Sequence, residues 1–183
     1  MSIDVTTDHA ETAPSPKVVR EPTGGGVVIG IDGSEGSRAA LEYACDEAAL
    51  RGLPVTAVVA WTSPGASVTP YPLVPSAHDL HKAALELATE EIRTVLAGRA
   101  ARGASAPDVE LAAVSGPAGV VLERLSAHAS MLVVGHRGRG GVASRLIGSV
   151  GLSTVVHAKC TVVVVRPPGQ DRPGPDEHES HAA

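Results

Sequence analysis

The sequence predicts an α/β domain in which a doubly wound, five-stranded parallel sheet is covered by helices on both faces. Three observations support this class. Continuous apolar runs, such as residues 26–31, are typical of strands buried on both sides. Segments with helical periodicity alternate with these runs along the chain. Most of the connections are short, which favours crossovers between parallel strands.

The first predicted strand and helix have clear boundaries. The strand covers residues 26–31, and the helix lies between Ser34, a suitable N-cap, and Gly52, a suitable C-terminal stop. We expect one face of this helix to contact the sheet through residues at helical spacing, namely Ala39, Ala40, Tyr43, Ala44, Glu47 and Leu50.

The second strand and helix are separated by an irregular segment. Residues 54–61 form the predicted strand, and residues 63–76 are rich in proline and therefore predict a loop. Residues 77–103 predict a long amphipathic helix. Its apolar stripe consists of Leu80, Ala84, Leu87, Ala88, Ile92, Val95 and Leu96.

The second half of the domain repeats the alternation. Residues 108–116 predict a third strand, and residues 117–129 predict a helix with a proline in its first turn. Residues 130–135 predict the fourth strand. A short helix over residues 148–158 and a fifth strand over residues 160–167 complete the domain.

Two strand ends carry unusual sequences. The first strand ends in Asp32, and the fourth leads into a glycine-rich loop over residues 135–149. In open α/β sheets, ligands bind beyond the carboxyl ends of the strands, where the strand order reverses. The order 3-2-1-4-5 brings these two strand ends together at one crevice, and we adopt it as the expected topology.

Composition and flanking segments limit the domain organisation. Residues 1–24 and 168–183 are polar and rich in proline, glycine or charge, and we expect them to be disordered arms around a single domain over residues 25–167. The chain is 43% hydrophobic but contains no Phe, so its core should be aliphatic. Cys45 and Cys160 are expected as reduced core thiols, although a disulfide between them is possible.

Charge and hydropathy argue against several partners. The formal net charge is −5, so nonspecific binding to nucleic acid or to an anionic membrane is not expected. The N-terminus lacks the features of a signal peptide, and no apolar run approaches the roughly 20 residues of a membrane helix. We therefore expect a cytoplasmic protein.

The glycine-rich loop has the properties of an anion site. Its backbone N–H groups and the start of the following helix favour negative charge, and Ser149 could cap that helix and donate its hydroxyl to a phosphate. Arg137, Arg139 and Arg145 can add charge-assisted hydrogen bonds. A polyphosphate is the ligand that this loop fits best.

Other nucleotide signatures fit less well. A Walker A loop fails because Gly141 stands where a lysine is required. A loose dinucleotide pattern begins at Gly138, but it follows the fourth strand, and no acid lies about 20 residues further on. A phosphorylated receiver module needs an acidic pair after the first strand, where Asp32 stands alone.

The spacing that fits is Gly135-x-x-Gly138, nine residues, then Gly148-Ser149. With this pattern the chain resembles the universal stress protein family, in its ATP-binding branch. The similarity includes GIDGSEGSRAALEYA, VVAW, LVVGHRGRGG and CTVVVVRP, and extends from Val27 to Arg166.

The resemblance implies a site in which ATP lies between the end of the first strand and the glycine loop, with Mg²⁺ held through the phosphates. Asp32 would bind the nucleoside, and Ala60 would lie against adenine, or Val59 if the second strand aligns one residue differently. The implied ATP-binding residues are Ile31, Asp32, Ala60, Gly135, Arg137, Gly138, Gly148, Ser149 and Val150.

The resemblance also implies a stress-response regulator that forms a homodimer through strand 160–166. The loop contains neither lysine nor acid, so we expect slow or no ATP hydrolysis, without catalytic residues. The alternative is an ATPase or phosphotransferase that uses His136 or Asp32. His78 and His81 lack an evident third ligand, so no metal site is expected.

Overall fold

A computed structural model describes residues 15–22, 25–63, 75–139 and 147–168. It shows an α/β fold with a parallel sheet and helices on both faces, as predicted. The strands are β1 (Lys17–Val18), β2 (Val27–Ile31), β3 (Val55–Trp61), β4 (Val109–Ser115), β5 (Met131–Gly135) and β6 (Thr161–Val165). The helices are α1 (Glu35–Arg51), α2 (Ala77–Ala101), α3 (Ala118–Ser126) and α4 (Ser149–His157).

The sheet has six strands in the order β1-β4-β3-β2-β5-β6, and every neighbouring pair is parallel. The five predicted strands have the expected order, but the predicted number was wrong because β1 extends the sheet beyond β4. Lys17 pairs with Glu110 through a contact of 3.2 Å between Nζ and Oε1, and the N–H of Val19 donates to the carbonyl of Leu111 at 2.8 Å.

The N-terminal segment predicted to be disordered therefore includes a short strand. A strand of two residues is too short to produce a hydrophobic period, so the sequence pattern could not reveal it. Residues 1–14 and 169–183, and most of the proline-rich loop, lie outside the described residues.

Alternating side chains of the strands form two core clusters, one on each face of the sheet. Val27, Ile29 and Ile31 of β2 pack with α1 and α2, whereas Val28 packs with α3 on the opposite face. Both clusters are aliphatic apart from Cys45 and Met131, as the absence of Phe requires. Beyond these clusters, the carboxyl ends of β2 and β5 border a cavity whose wall also includes residues of α1, α3 and α4.

Helix α1 begins and ends as predicted but turns a different face to the sheet. Ser34 caps it by accepting a hydrogen bond from the N–H of Ser37, and Gly52 ends it with a φ of 64°. Leu50, which was expected to face the sheet, is 82% exposed. The helix is rich in alanine, so its apolar face was ambiguous in the sequence. Its buried residues are Gly36, Ser37, Ala40, Leu41, Ala44, Cys45 and Ala48.

Both cysteines are free; Cys45 is buried in the core, whereas Cys160, also expected in the core, is only partly buried. Cys45 belongs to the cluster under α1 and α2, and burial raises the pKa of its thiol to about 11. Cys160 packs against the cluster on the opposite face of the sheet. The disulfide that the sequence left possible is therefore absent. Within the described part of the chain, no helix combines the length and apolarity needed to cross a membrane.

The orientation of α1 is tested by a matched pair of substitutions, one at a buried leucine and one at the exposed Leu50. Leu41 is fully buried, so Leu41→Ala should lower the free energy of unfolding by about 2–5 kcal/mol. Leu50→Ala should change it by less than about 0.5 kcal/mol, because the side chain is already in water. Urea unfolding of both variants measures this difference, and equal losses would contradict the orientation of α1.

Candidate functional site

A cavity of about 370 Å³ lies at the carboxyl ends of β2, β3 and β5, between α1, α3 and α4. The strand order reverses at this point. From β2, the chain continues to β3 and β4 on one side of the sheet, and later crosses to β5 and β6 on the other side. All of the predicted ligand-binding residues contribute to its wall: Ile31, Asp32, Ala60, Gly135, Arg137, Gly138, Gly148, Ser149 and Val150.

The carboxylate of Asp32 joins the two loops that border the cavity. Its Oδ1 accepts a hydrogen bond from the N–H of Ser34 at 3.0 Å, within its own loop. Its Oδ2 accepts from the N–H of Arg139 at 3.0 Å, in the loop after β5. Gly138 makes this contact possible, because a Cβ at that position would overlap Oδ2 of Asp32.

A second contact between the loops depends on two other glycines. A Cβ on Gly135 would lie 2.6 Å from the carbonyl carbon of Gly36, and a Cβ on Gly36 would overlap the carbonyl oxygen of Arg137. The hydroxyl of Ser34 donates to the same carbonyl at 3.3 Å. Gly135 is therefore required for close packing against α1, a role that its place in the glycine pattern did not reveal.

Gly148 differs from these glycines because a Cβ there would not overlap the described residues. Its nearest neighbouring atoms among them would be 3.6 Å away, an ordinary van der Waals contact, and the φ of −61° is accessible to any residue. Gly148 is the N-cap of α4, whereas Ser149 is the first helical residue and makes no capping hydrogen bond. The prediction that Ser149 caps this helix was wrong. Its exposed side chain lies on the cavity wall instead.

Part of the cavity wall is apolar. Ala60 faces the cavity together with Val58, whereas Val59 belongs to the core cluster on the opposite face of the sheet. Strand alternation thus places Ala60, not Val59, at the site. Leu122 and Ala118 of α3 also line this part of the wall. Neither residue was predicted from the sequence, although α3 also starts at the carboxyl edge of the sheet.

Another part of the cavity wall is basic and includes a helix start. Arg137 and Arg139 line it, together with the first residues of α4. The N–H groups in the first turn of a helix have no acceptor within the helix, and they attract anions. Arg145 and the middle of the glycine loop, residues 140–146, lie outside the described residues.

The remaining candidate residues lie away from the cavity wall. His136 is only 5% exposed, and its ring nitrogens have no hydrogen-bond partner among the described residues. Burial, with smaller contributions from Arg166 and Arg137, lowers the pKa of its ring. His81 contacts Trp61 edge to face, with 5.8 Å between ring centroids. The described residues contain no cluster of three or more potential metal ligands.

Sequence reasoning also missed Glu91, a buried carboxyl behind the Asp32 loop. Its Oε2 accepts a hydrogen bond from the N–H of Gly33 at 2.9 Å, and its Oε1 lies 2.5 Å from the hydroxyl of Ser37. Ser37 lines the cavity, so Glu91 supports the wall from α2. Only its acidic character among the apolar positions of α2 distinguishes it in the sequence.

Comparisons with known proteins agree on one family. The family model described as "Usp: Universal stress protein family" matches residues 26–166. Two universal stress proteins of Mycobacterium tuberculosis are 34% and 33% identical to this chain, each over 149 residues that cover 81% of this chain and 48% of the relative. The chain therefore spans about half the length of the curated relatives that it matches.

Solved structures show the same fold. A universal stress protein in complex with cAMP is 26% identical with a TM-score of 0.52, and the match covers 78% of this chain and 96% of that one. Universal stress protein UspA from Lactobacillus plantarum has 21% identity and a TM-score of 0.53, with coverage of 77% and 97%. The chain belongs to the universal stress protein family.

Proposed function

We propose that this chain binds ATP in the cavity between the end of β2 and the loop after β5, and acts as a nucleotide-responsive regulatory protein in the stress response. One observation carries the proposal: the residues of the glycine pattern, Asp32 and Ala60 come from separate parts of the chain and line a single cavity. The related universal stress protein in complex with cAMP, itself an adenine nucleotide, supports this class of ligand.

The apolar and basic parts of the cavity wall suggest how the nucleotide is oriented. The apolar part, with Ala60, Val58 and Leu122, suits the face of an adenine ring. The basic part, with Arg137 and the start of α4, suits the phosphates. Asp32 lines the same cavity just after β2, and its carboxylate suits the hydroxyls of a ribose.

The donor set suggests that Mg²⁺ is held mainly by the phosphates. Asp32 is the only carboxylate among the described residues of the cavity wall, and both of its oxygens already accept backbone hydrogen bonds. Mg²⁺ retains several waters and is often held through substrate phosphates with few protein ligands. When bound, the ion would neutralise charge on the phosphates. The arginines and the N–H groups of α4 would orient them.

The second candidate function is an ATPase or phosphotransferase that uses His136 or Asp32. A general base must come within hydrogen-bond reach of the nucleophile that it activates. His136 is buried and lies outside the cavity wall, and both carboxylate oxygens of Asp32 already accept backbone hydrogen bonds. These positions favour slow or no hydrolysis.

We also propose that two copies of the chain pair through β6, and that the protein acts in the cytoplasm. β6 is an edge strand, and in a parallel ladder both backbone groups of a residue point to the same side. The carbonyl of Val165 accepts a hydrogen bond from the backbone N–H of His136, on the β5 side, at 2.7 Å. The N–H of Val164 therefore points to the open edge, where a second β6 can pair with it.

The ATP site is tested by placing a carboxylate beside Asp32. Gly138→Asp would displace the Asp32 carboxylate and bring a second negative charge to the phosphates, so it should weaken ATP binding by roughly a hundredfold or more. Gly25→Asp is the control, because it adds the same charge just before β2, where a Cβ would meet no atom within 4 Å. Calorimetry should show ATP binding to the wild type and the control. Unchanged ATP affinity in Gly138→Asp would contradict the site.

Hydrolysis is measured with radiolabelled ATP and purified protein. We expect turnover below roughly one ATP per chain per minute. His136→Gln should hydrolyse ATP at the same rate as the wild type, since the histidine does not line the cavity. Many turnovers per minute that disappear in His136→Gln, with an unchanged unfolding midpoint, would establish the ATPase alternative instead.

The dimer is tested by light scattering. The wild type should have about twice the mass of one 18.5 kDa chain, and Val164→Pro should be monomeric because proline removes the N–H at the open edge. Circular dichroism would check that the variant remains folded. A monomeric wild type at the concentration used for binding would contradict pairing through β6.

A further inference from the structure

Glu91 is an acid in the buried face of α2. Its exposed fraction is 6%, and its neighbours on that face include Ala88, Ile92 and Val95. An ionised carboxylate in such surroundings is costly unless its charge is compensated. Among the described residues, the ion pairs of α2 are made by other side chains, and no arginine or lysine forms one with Glu91.

The hydrogen-bond geometry around Ser37 indicates the protonation state of Glu91. The hydroxyl oxygen of Ser37 lies 2.5 Å from Oε1 of Glu91 and 3.0 Å from the carbonyl oxygen of Ser34. A serine hydroxyl has one hydrogen, and an ionised carboxylate and a carbonyl can only accept. With Glu91 ionised, one of these two oxygen pairs would therefore lack a hydrogen.

A protonated Glu91 supplies a hydrogen to both oxygen pairs. The carboxylic acid donates from Oε1 to the hydroxyl oxygen of Ser37, which then donates its own hydrogen to the carbonyl of Ser34. Oε2 still accepts from the N–H of Gly33 at 2.9 Å. Each contact then has one donor and one acceptor, and the carbonyl of Ser34 also accepts from the N–H of Arg38 at 3.1 Å.

We propose that Glu91 is a positioning residue of the nucleotide site, which acts as a neutral carboxylic acid that donates to Ser37 and holds the loop bearing Asp32. Glu91 fixes Gly33 and Ser37, on either side of Ser34. The N–H of Ser34 in turn binds Asp32, and Asp32, Ser34 and Ser37 line the cavity. The effect on a nucleotide rests on the proposed function, whereas the protonation of Glu91 does not.

The surroundings of Glu91 favour the neutral form. Burial is the largest influence and raises the pKa of this carboxyl above its ordinary value of 4.5. Hydrogen bonding with Ser37 and Gly33 lowers the pKa to the extent that the carboxylate is the acceptor, the charge of Asp32 raises it, and the charge of Arg38 on α1 lowers it. β3 and β4 add apolar residues to the same core cluster. As the pH rises through this pKa, Glu91 loses its proton and the loop loses one hydrogen bond.

The experiment uses the full chain and three variants. Glu91→Gln keeps a neutral donor and acceptor, Glu91→Ala removes both, and Glu90→Gln is the control at an exposed neighbouring position. Carbon NMR of the side-chain carboxyls, with Glu91→Gln to assign the signal, should show Glu91 titrating above 4.5. The unfolding free energy of the wild type relative to Glu91→Gln should fall as the pH rises from 4.5 to the folded pKa, and then level off.

Nucleotide binding supplies the second readout. Below the pKa of Glu91, Glu91→Ala should weaken ATP binding by roughly tenfold, and Glu91→Gln should restore it. Above that pKa, the wild type should bind ATP more weakly than Glu91→Gln does. The ATP affinity of Glu90→Gln should equal that of the wild type at every pH. Glu91 titrating at or below 4.5, or Glu91→Gln binding as weakly as Glu91→Ala, would overturn the proposal.

The titration also separates the two proposals. A wild type that binds no ATP at any pH would refute the proposed function, but the carboxyl signal would still report whether Glu91 is neutral in the folded protein. If Glu91→Ala does not fold, the titration and the pH dependence of Glu91→Gln still test the positioning role.

Discussion

The carboxylate of Asp32 is the point at which the two halves of the site are joined. It accepts one backbone hydrogen bond within the loop after β2 and one from Arg139 in the loop after β5. A charged acceptor with two backbone donors gives a strong and directional contact. The contact also explains Gly138, since any side chain there would displace the carboxylate. The cavity depends on this junction, because each loop forms part of its wall.

The glycine pattern combines two physical requirements. Gly135 and Gly138 are needed by the protein itself, for packing against Gly36 and for the contact with Asp32. Gly148 could carry a Cβ without overlapping the described residues, so packing among them does not explain its missing side chain. Gly135 and Gly138 thus allow the two loops to come together. The buried carboxyl of Glu91 supports the same loop from behind.

Much of the fold and site could be predicted from the sequence, where local chemistry and the global arrangement agree. Apolar runs identified the long strands, Ser34 marked a helix start, and the two unusual strand ends predicted the order of the central strands. Other features depend on tertiary contacts and leave no local pattern. The orientation of Leu50, the pairing of Lys17–Val18 with β4, and the packing role of Gly135 belong to this group.

A backbone amide NMR titration of the wild type with ATP shows where the nucleotide binds. Binding in the cavity predicts large shifts for the amides of Ser34, Arg139 and Ser149, and small shifts for those of β1, which lies at the far edge of the sheet. Saturating ATP that leaves these three amides unchanged, or that shifts amides on a different surface, would contradict binding between the two loops.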